Sequence, residues 1–317
     1  MVSIIIPVYN GEKYIRDIVD NILQLKYSSY EIIFVNDGSK DGTSQVLEEM
    51  QAKNPSIKVI HQENKGVCAA RNVGLANASG EYICFLDVDD AIDYSYLNIF
   101  IENMEAENVD VAFCEMTPIP KEINEKNIPI KIYSRNEVLY DFLLRKFKIG
   151  VCGMVVSKKV IDANKLEFMV GYKYGEDLHM AWKIFNSVEK CMYIQLPLYV
   201  YKQNEGSAMT KIDESKLDAI TIMDELEVYF KLTNPKFYPI FEKYGAARNA
   251  WAILWQAVRY LDYTGFMKFT KMHDFKAEFR KLLTFPDARV KVSSLCFIFS
   301  KTIYYYIVRI LTKNYRN

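Results

Sequence analysis

The feature that most constrains this chain is a strand-then-helix pattern repeated through its first ~115 residues. Val2–Val8 is a run of apolar residues ending in Tyr9-Asn10-Gly11, and Ile15, Ile18, Val19, Ile22 and Leu23 then recur at helical spacing. The same alternation continues with strands at Glu31–Val35, Ile57–Ile60, Glu81–Leu86 and Val109–Met116. Helical patterns around Val46, Leu47 and Met50, at Gly66–Ala76 and at Tyr96–Met104 separate them. Apolar strands joined by amphipathic helices predict an α/β fold, a mostly parallel sheet with flanking helices.

Thr117–Ile130 carries Pro118, Pro120 and Pro129 without a period and reads as a loop, followed by a helix at Glu137–Lys146. Val151–Ser157 and Cys191–Tyr201 read as strands around a helix at Asp177–Asn186. Beyond Asp213 strand signals stop, and Ile220–Phe230, Ala246–Tyr260 and Phe266–Leu283 are helical patterns. Two parts are expected, a sheet-based domain over 1–212 and a C-terminal helical region over 213–317.

Half of the 317 residues are hydrophobic and 25% are charged, which excludes a disordered, collagenous or disulfide-scaffold protein. The formal net charge of zero hides an asymmetry. Residues 216–317 hold 17 Lys/Arg against 9 Asp/Glu, while the first 215 hold 23 against 31. An acidic body suits metal ions, and a basic end suits a phosphate-rich or anionic membrane surface. The six cysteines show no CxxC pair and no zinc spacing, the usage of a reducing compartment. With no signal-peptide pattern and no stretch of ~20 apolar residues, a cytoplasmic protein is expected.

In an open parallel sheet, ligands bind beyond the carboxyl ends of the strands. Three of the expected strands end in polar or acidic residues: Tyr9-Asn10, Asn36-Asp37-Gly38-Ser39 and Asp87-Val88-Asp89-Asp90. Three carboxylates in four residues repel one another unless a cation sits among them. Hard oxygen ligands without nearby His or Cys favour Mg²⁺ or Mn²⁺. The other reading is a solvated acidic turn, with Asp90 or Asp93 capping the next helix. The turn after the first strand has one glycine, so a dinucleotide fingerprint is missing, as is a Walker A sequence. Tyr9 can stack on a base, and Asp37 can accept a hydrogen bond from a ring N–H.

The motifs Ser3-Ile4-Ile5-Ile6-Pro7-Val8-Tyr9-Asn10, Val35-Asn36-Asp37-Gly38-Ser39, Asn64-Lys65-Gly66 with Ala70-Arg71-Asn72, and Gly80-Glu81-Tyr82-Ile83 leading to Leu86-Asp87-Val88-Asp89-Asp90 occur in that order. Together they resemble the inverting family 2 glycosyltransferases of GT-A fold, of the bacterial cell-surface polysaccharide type. The resemblance covers roughly the first 210 residues. It implies that Pro7, Tyr9 and Asp37 hold the nucleobase and that Arg71 lies near the nucleotide. Asp87 would approach the ribose or the metal, and Asp89 would be the principal metal ligand. Tyr174-Gly175-Glu176-Asp177-Leu178-His179 resembles the family's Glu-Asp motif, in which the aspartate is the catalytic base; that assigns Asp177, beside Glu176. Taken alone, the same acids suit a helix's first turn. Tyr199-Val200-Tyr201-Lys202 with Gly206-Ser207 resembles the stretch after the last core strand, where Lys202 stands at a position that is commonly Arg.

Residues 289–317 contain Arg289, Lys291, Lys301, Arg309, Lys313 and Arg316, no acid, and many apolar and aromatic side chains. Such a segment suits the surface of an anionic bilayer; a helix packed on the protein itself is the alternative. The expected activity is metal-dependent transfer of a sugar from a nucleotide donor, UDP-linked, to a glycan acceptor that can be lipid-linked. Mn²⁺ or Mg²⁺ is the expected cofactor, at the inner face of the cell membrane and without nucleic acid. The competing readings are a nucleotidyltransferase, which would need a glycine- and basic-rich loop after the first strand, and a non-catalytic nucleotide-sugar scaffold.

Overall fold

The computed structural model describes residues 1–147, 149–202 and 212–312. They form two compact units. The first comprises Met1–Val138, Phe147–Gly171 and Met180–Gln203, and the second Leu139–Lys146, Tyr172–His179 and Asn204–Asn317.

The first unit is built on one mixed sheet. Its strands are β1 (Val2–Val8), β2 (Tyr30–Asp37), β3 (Ile57–Gln62), β4 (Tyr82–Phe85), β5 (Ala91–Ile92), β6 (Val111–Thr117), β7 (Ile130–Ser134), β8 (Met154–Ser157) and β9 (Lys190–Val200). The order is β3-β2-β1-β4-β8-β6-β9-β5, with β7 also on β9. β3, β2, β1 and β4 are parallel, with Ile4 opposite both Ile32 and Cys84. Ile4, Ile5, Ile6, Ile32, Ile33, Phe34 and Val35 have no exposed surface, the burial expected of strands covered on both faces.

β8 interrupts the parallel run, pairing antiparallel with β4 on one side and β6 on the other. The segment Val151–Ser157 divides into a 3₁₀ turn at Val151–Gly153 and this four-residue strand. In β9, Pro197 lies beside a register shift against β6 between Cys114 and Met116, a position where a strand can carry proline. Phe113 of β6 stacks on Tyr193 of β9 at 4.8 Å and meets Phe147 at the same centroid distance.

The second unit is helical. Its principal helices are Asp218–Thr233, Tyr238–Tyr260, Tyr263–Phe269, Phe275–Lys281, Ala288–Phe299 and Lys301–Thr312. The expected single helix Phe266–Leu283 is two, because Asp274 turns back to accept the Ala277 N–H at 3.1 Å and starts a new one. Asp262 and Asp287 cap the helices that follow them in the same way. Phe230, Phe241, Phe266, Phe279, Phe297 and Tyr304 make the core. Trp251 and Val258 are core residues too.

The basic tail divides between two roles. Phe297, Tyr304, Tyr305 and Val308 are buried, whereas Val292, Leu295, Phe299, Ile303, Tyr306, Ile307, Ile310 and Leu311 are exposed. Arg309 Nη1 donates to the Val258 carbonyl at 2.6 Å and the Arg259 carbonyl at 3.2 Å, closing the end of the helix Tyr238–Tyr260. Lys301 Nζ donates to the Thr270 carbonyl at 3.3 Å. These two cations therefore serve the fold, and Lys313 and Arg316 lie outside the described residues. Among the described residues no helix is long and apolar enough to cross a membrane. None of the six cysteines is in a disulfide.

Candidate active site

The carboxyl ends of β2, β1 and β4 are neighbours in the sheet, and their loops are tied together by side chains. Asn10 adopts a left-handed backbone (φ 50°), which asparagine tolerates. Its N–H donates to Ser39 Oγ at 2.9 Å, and its Oδ1 accepts the Lys40 N–H at 2.8 Å. The Gly11 N–H donates to Thr43 Oγ1 at 2.9 Å, and the Gly42 N–H to Glu12 Oε2 at 3.0 Å. Pro7 is buried in β1, and Tyr9, just past it, is 49% exposed, so its ring faces solvent.

Asp37, at the end of β2, is buried. Its Oδ1 accepts Gln62 Nε2 at 2.7 Å and the Lys65 N–H at 2.8 Å, and its Oδ2 accepts the Gly66 N–H at 2.8 Å. These donors use three of about four acceptor positions on a carboxylate, leaving room for one more N–H. Gly38 follows with φ 67°, and a Cβ there would lie 2.7 Å from the Asn64 N, so only glycine fits this turn.

Arg71, in the helix Val67–Ala76, is 3% exposed. Its Nη2 donates to Asp87 Oδ1 at 2.9 Å, and its guanidinium lies 5.2 Å from the Phe168 ring centroid. Asn72 and Phe168 exchange two side chain–backbone hydrogen bonds at 2.8–2.9 Å, fixing that ring. Asp87 and Asp89 are half-buried just beyond β4. Lys13, on the first turn after β1, is held protonated chiefly by Tyr14, with Asp89 contributing.

Asp90 has a different place from its two neighbours. It is buried, accepts the Tyr199 hydroxyl at 2.6 Å and the Lys202 N–H at 3.0 Å, and so ties the acidic turn to the end of β9. Burial, opposed by the Tyr199 bond, pushes its carboxyl up to about 7. Lys202 serves here through its backbone N–H, while its side chain is exposed. Gly206 and Ser207 lie outside the described residues.

Glu176 and Asp177 open the helix Glu176–Asn186 in a segment of the second unit, half-buried, where the positive end of the helix dipole favours a carboxylate. Gly175 before them has φ 91°, and a Cβ there would come within 2.9 Å of Ala219 Cα, so this motif's glycine is required by close approach. His179 is fully buried and bonds Glu225 through Nε2, a role in packing. Lys216, which the motifs did not single out, is 3% exposed with its Nζ 3.7 Å from the Tyr174 ring centroid. Burial lowers its pKa, while Asp213 and Glu176 oppose that shift. A lone lysine in a helical pattern carries no sequence signal for such a position.

Among the described residues no group of three or more His, Cys, Asp or Glu side chains is arranged to hold a metal ion. Asp87 and Asp89 still fit one: Mg²⁺ and similar ions bind through one or two carboxylates and take their other ligands from phosphate and water. Asp87 is also paired to Arg71.

Residues 3–163 match the family model described as Glycosyl transferase family 2. The chain belongs to that family. Glycosyltransferase GlyA of Streptococcus pneumoniae is 30% identical over 251 residues, covering 75% of this chain and 35% of GlyA. The chain thus spans about a third of that relative's length. A crystal structure of S. aureus TarS 1-349 in complex with UDP-GlcNAc superposes with a TM-score of 0.68 at 20% identity, over 99% of this chain and 91% of that one. The mannosyltransferase PcManGT from Pyrobaculum calidifontis, in complex with GDP-Man and Mn²⁺, gives a TM-score of 0.60 at 17% identity over 98% and 86%. The architecture is GT-A-like, as the motifs led one to expect.

Proposed function

We propose that the chain is a metal-dependent inverting glycosyltransferase that moves a sugar from a UDP-linked donor to an acceptor hydroxyl in surface-glycan or polysaccharide synthesis. The observation that carries this reading is the meeting of Tyr9, Asp37 and the Arg71–Asp87 pair with Asp89 at the ends of three adjacent strands. Tyr9 offers a ring for the base, and Asp37 one remaining acceptor position for a ring N–H. Pro7, two residues before Tyr9, would belong to the same base site. Arg71 holds Asp87 toward the ribose. Two solved structures of this fold, TarS 1-349 with UDP-GlcNAc and PcManGT with GDP-Man, hold nucleotide-sugars, and the donor class is proposed on that ground together with the sheet edge.

Asp89, with Asp87 beside it, would hold Mn²⁺ or Mg²⁺, which when bound supplies positive charge to the diphosphate leaving group. Asp177 is the base that takes the acceptor hydroxyl's proton, and Glu176 stands next to it as the alternative. The exposed apolar strip of Val292, Leu295, Phe299, Ile303, Ile307 and Ile310, in a region of net positive charge, supports peripheral contact with an anionic membrane and a lipid-linked acceptor. The deciding experiment is a UDP titration with Mn²⁺ and again with EDTA, coupled to donor hydrolysis. Tight binding only with metal, together with release of UDP from UDP-sugar, is the expected result. Equal binding in both buffers removes the metal from the reading.

A further inference from the structure

Three arginines gather in the helical unit. Arg145 follows the helix Arg135–Leu143, Arg248 lies within Tyr238–Tyr260, and Arg289 is in the first turn of Ala288–Phe299. Arg145 Nη2 donates to Asn249 Oδ1 at 2.7 Å, on the residue next to Arg248. Arg248 and Arg289 lie against one indole ring, 4.6 and 5.7 Å from the centroid of Trp251. Trp251 is itself fixed by its Nε1–H donating to Ser293 Oγ at 2.8 Å.

Arg248 is 5% exposed, and its Nε and Nη1 are buried without a hydrogen-bond partner. Buried guanidinium N–H groups that meet no acceptor are costly, and two like charges beside them add to the cost. The faces of Trp251 and Phe285 ease the charge but offer no carboxylate-like acceptor. Asp287 is the acid that acts on Arg248, yet its Oδ1 caps the Val290 N–H at 3.0 Å, and its Oδ2 is 3.9 Å from Arg289. Burial first, then Arg145 and Arg289, push the Arg248 guanidinium down to about 9. Among the described residues, Asp287 is thus the one carboxylate acting on Arg248, and it is already engaged. Arg289, with 62% of its side chain exposed, gives the cluster an opening to solvent.

The structure assigns Arg145, Arg248 and Arg289 to an oxyanion site of the phosphate class, formed within the helical unit. Guanidinium groups grip phosphate oxygens through paired N–H bonds, and a doubly charged phosphate matches the surplus of two positive charges. The ligand is a phosphate group, carried by a soluble phosphoester or by a lipid headgroup. This assignment does not depend on the nucleotide reading, whose base- and ribose-binding residues lie in the first unit.

The test uses the full chain and inorganic phosphate at constant ionic strength, with chloride as the balancing salt. Binding is read by calorimetry and by the shift in melting temperature. Phosphate is expected to raise the melting temperature by several degrees, and Arg145→Gln and Arg289→Gln each to weaken its binding at least tenfold. Arg289→Gln alters an exposed side chain, so its fold survives whatever happens at Arg248. Arg248→Met is expected to melt no lower than wild type in phosphate-free buffer and to lose the response to phosphate. Vesicles of phosphatidylglycerol, against phosphatidylcholine, distinguish the sources: binding lost in Arg248→Met marks a headgroup, and binding kept while phosphate is lost marks a soluble phosphoester. An equal response to matched chloride, or an undiminished phosphate response in Arg289→Gln and Arg248→Met, overturns the assignment. UDP titrated alongside reads the nucleotide residues separately, so a failure there leaves this result standing.

Discussion

Arg71 Nη2 lies 2.9 Å from Asp87 Oδ1, and the two partners are unequally sheltered: 3% of the arginine side chain is exposed against 35% of the aspartate. The inequality has a measurable sign. Asp87→Asn leaves a buried cation facing a neutral amide and is expected to cost about 2–4 kcal/mol. Arg71→Met leaves a carboxylate that water can still reach, for roughly 1–2 kcal/mol. Urea denaturation of both variants decides it, and equal losses would show that the pair's energy does not follow burial.

Asp89 and Asp177 should fail in different ways. Asp89→Asn is expected to weaken metal-dependent UDP binding and transfer together, because the proposed metal ligand has lost its charge. Asp177→Asn keeps its size and its place in the helix's first turn, so UDP binding should survive. Transfer should then drop by roughly 10²–10⁴, the usual contribution of a positioned base. Near-normal turnover in Asp177→Asn moves the base to Glu176.

Asp37 has both a proposed nucleotide contact and an observed structural one. Asp37→Asn should reduce UDP affinity and also release one of the Lys65 and Gly66 amides, because these are held by different carboxylate oxygens and asparagine keeps only one of them as an acceptor. The stability loss should be about 1–3 kcal/mol. Faster hydrogen exchange at one of those two amides is the specific signature, and unchanged exchange at both would mean that the loop is held by other contacts.

Glu49 gives a pH dependence with a definite direction. Arg16 and then Lys53 hold its carboxyl down to about 2, below its ordinary 4.5. The folded state therefore favours the ionised form. That contribution is complete above pH 4.5 and fades as pH falls toward 2. The stability difference between wild type and Glu49→Gln should be present at pH 6 and shrink at pH 2.5. It should be small, because the groups are exposed. A difference that grows on acidification contradicts the pairing.

The tail separates packing from surface. Phe299→Ser with Ile310→Ser changes residues that are 87% and 71% exposed, so the melting temperature should barely move while co-sedimentation with phosphatidylglycerol vesicles falls. Deleting residues 289–317 instead removes Phe297 and Tyr304 from the core and should unfold the helical unit. If the double variant binds vesicles as wild type does, membrane contact lies on another face.

Much of the first unit was legible because its signals are local. Apolar runs marked β1 to β4, and the polar residues closing them marked the sheet edge. β8 was readable as a strand, but nothing in Met154–Ser157 says that it enters antiparallel between β4 and β6, since that choice depends on partners 71–75 and 41–45 residues away. β7, placed in sequence just past a proline-rich loop, and the two-residue β5 are defined by pairing with β9 rather than by any pattern of their own. The acidic turn was legible as a group but not by member: that Asp87 meets Arg71 and Asp90 meets Tyr199 is a property of packing. Arg145, Arg248 and Arg289 are far apart in sequence, and only the fold places their charges together.

The bonds between Asn10 and Ser39, Asn10 and Lys40, Gly11 and Thr43, and Gly42 and Glu12 have a consequence for exchange of parts between relatives. The turns after β1 and β2 behave as one cassette, with each supplying donors and acceptors that the other needs. Grafting either turn alone from a protein of different base preference would break bonds at both. A base-specificity transplant should carry residues 9–12 and 36–43 as a set.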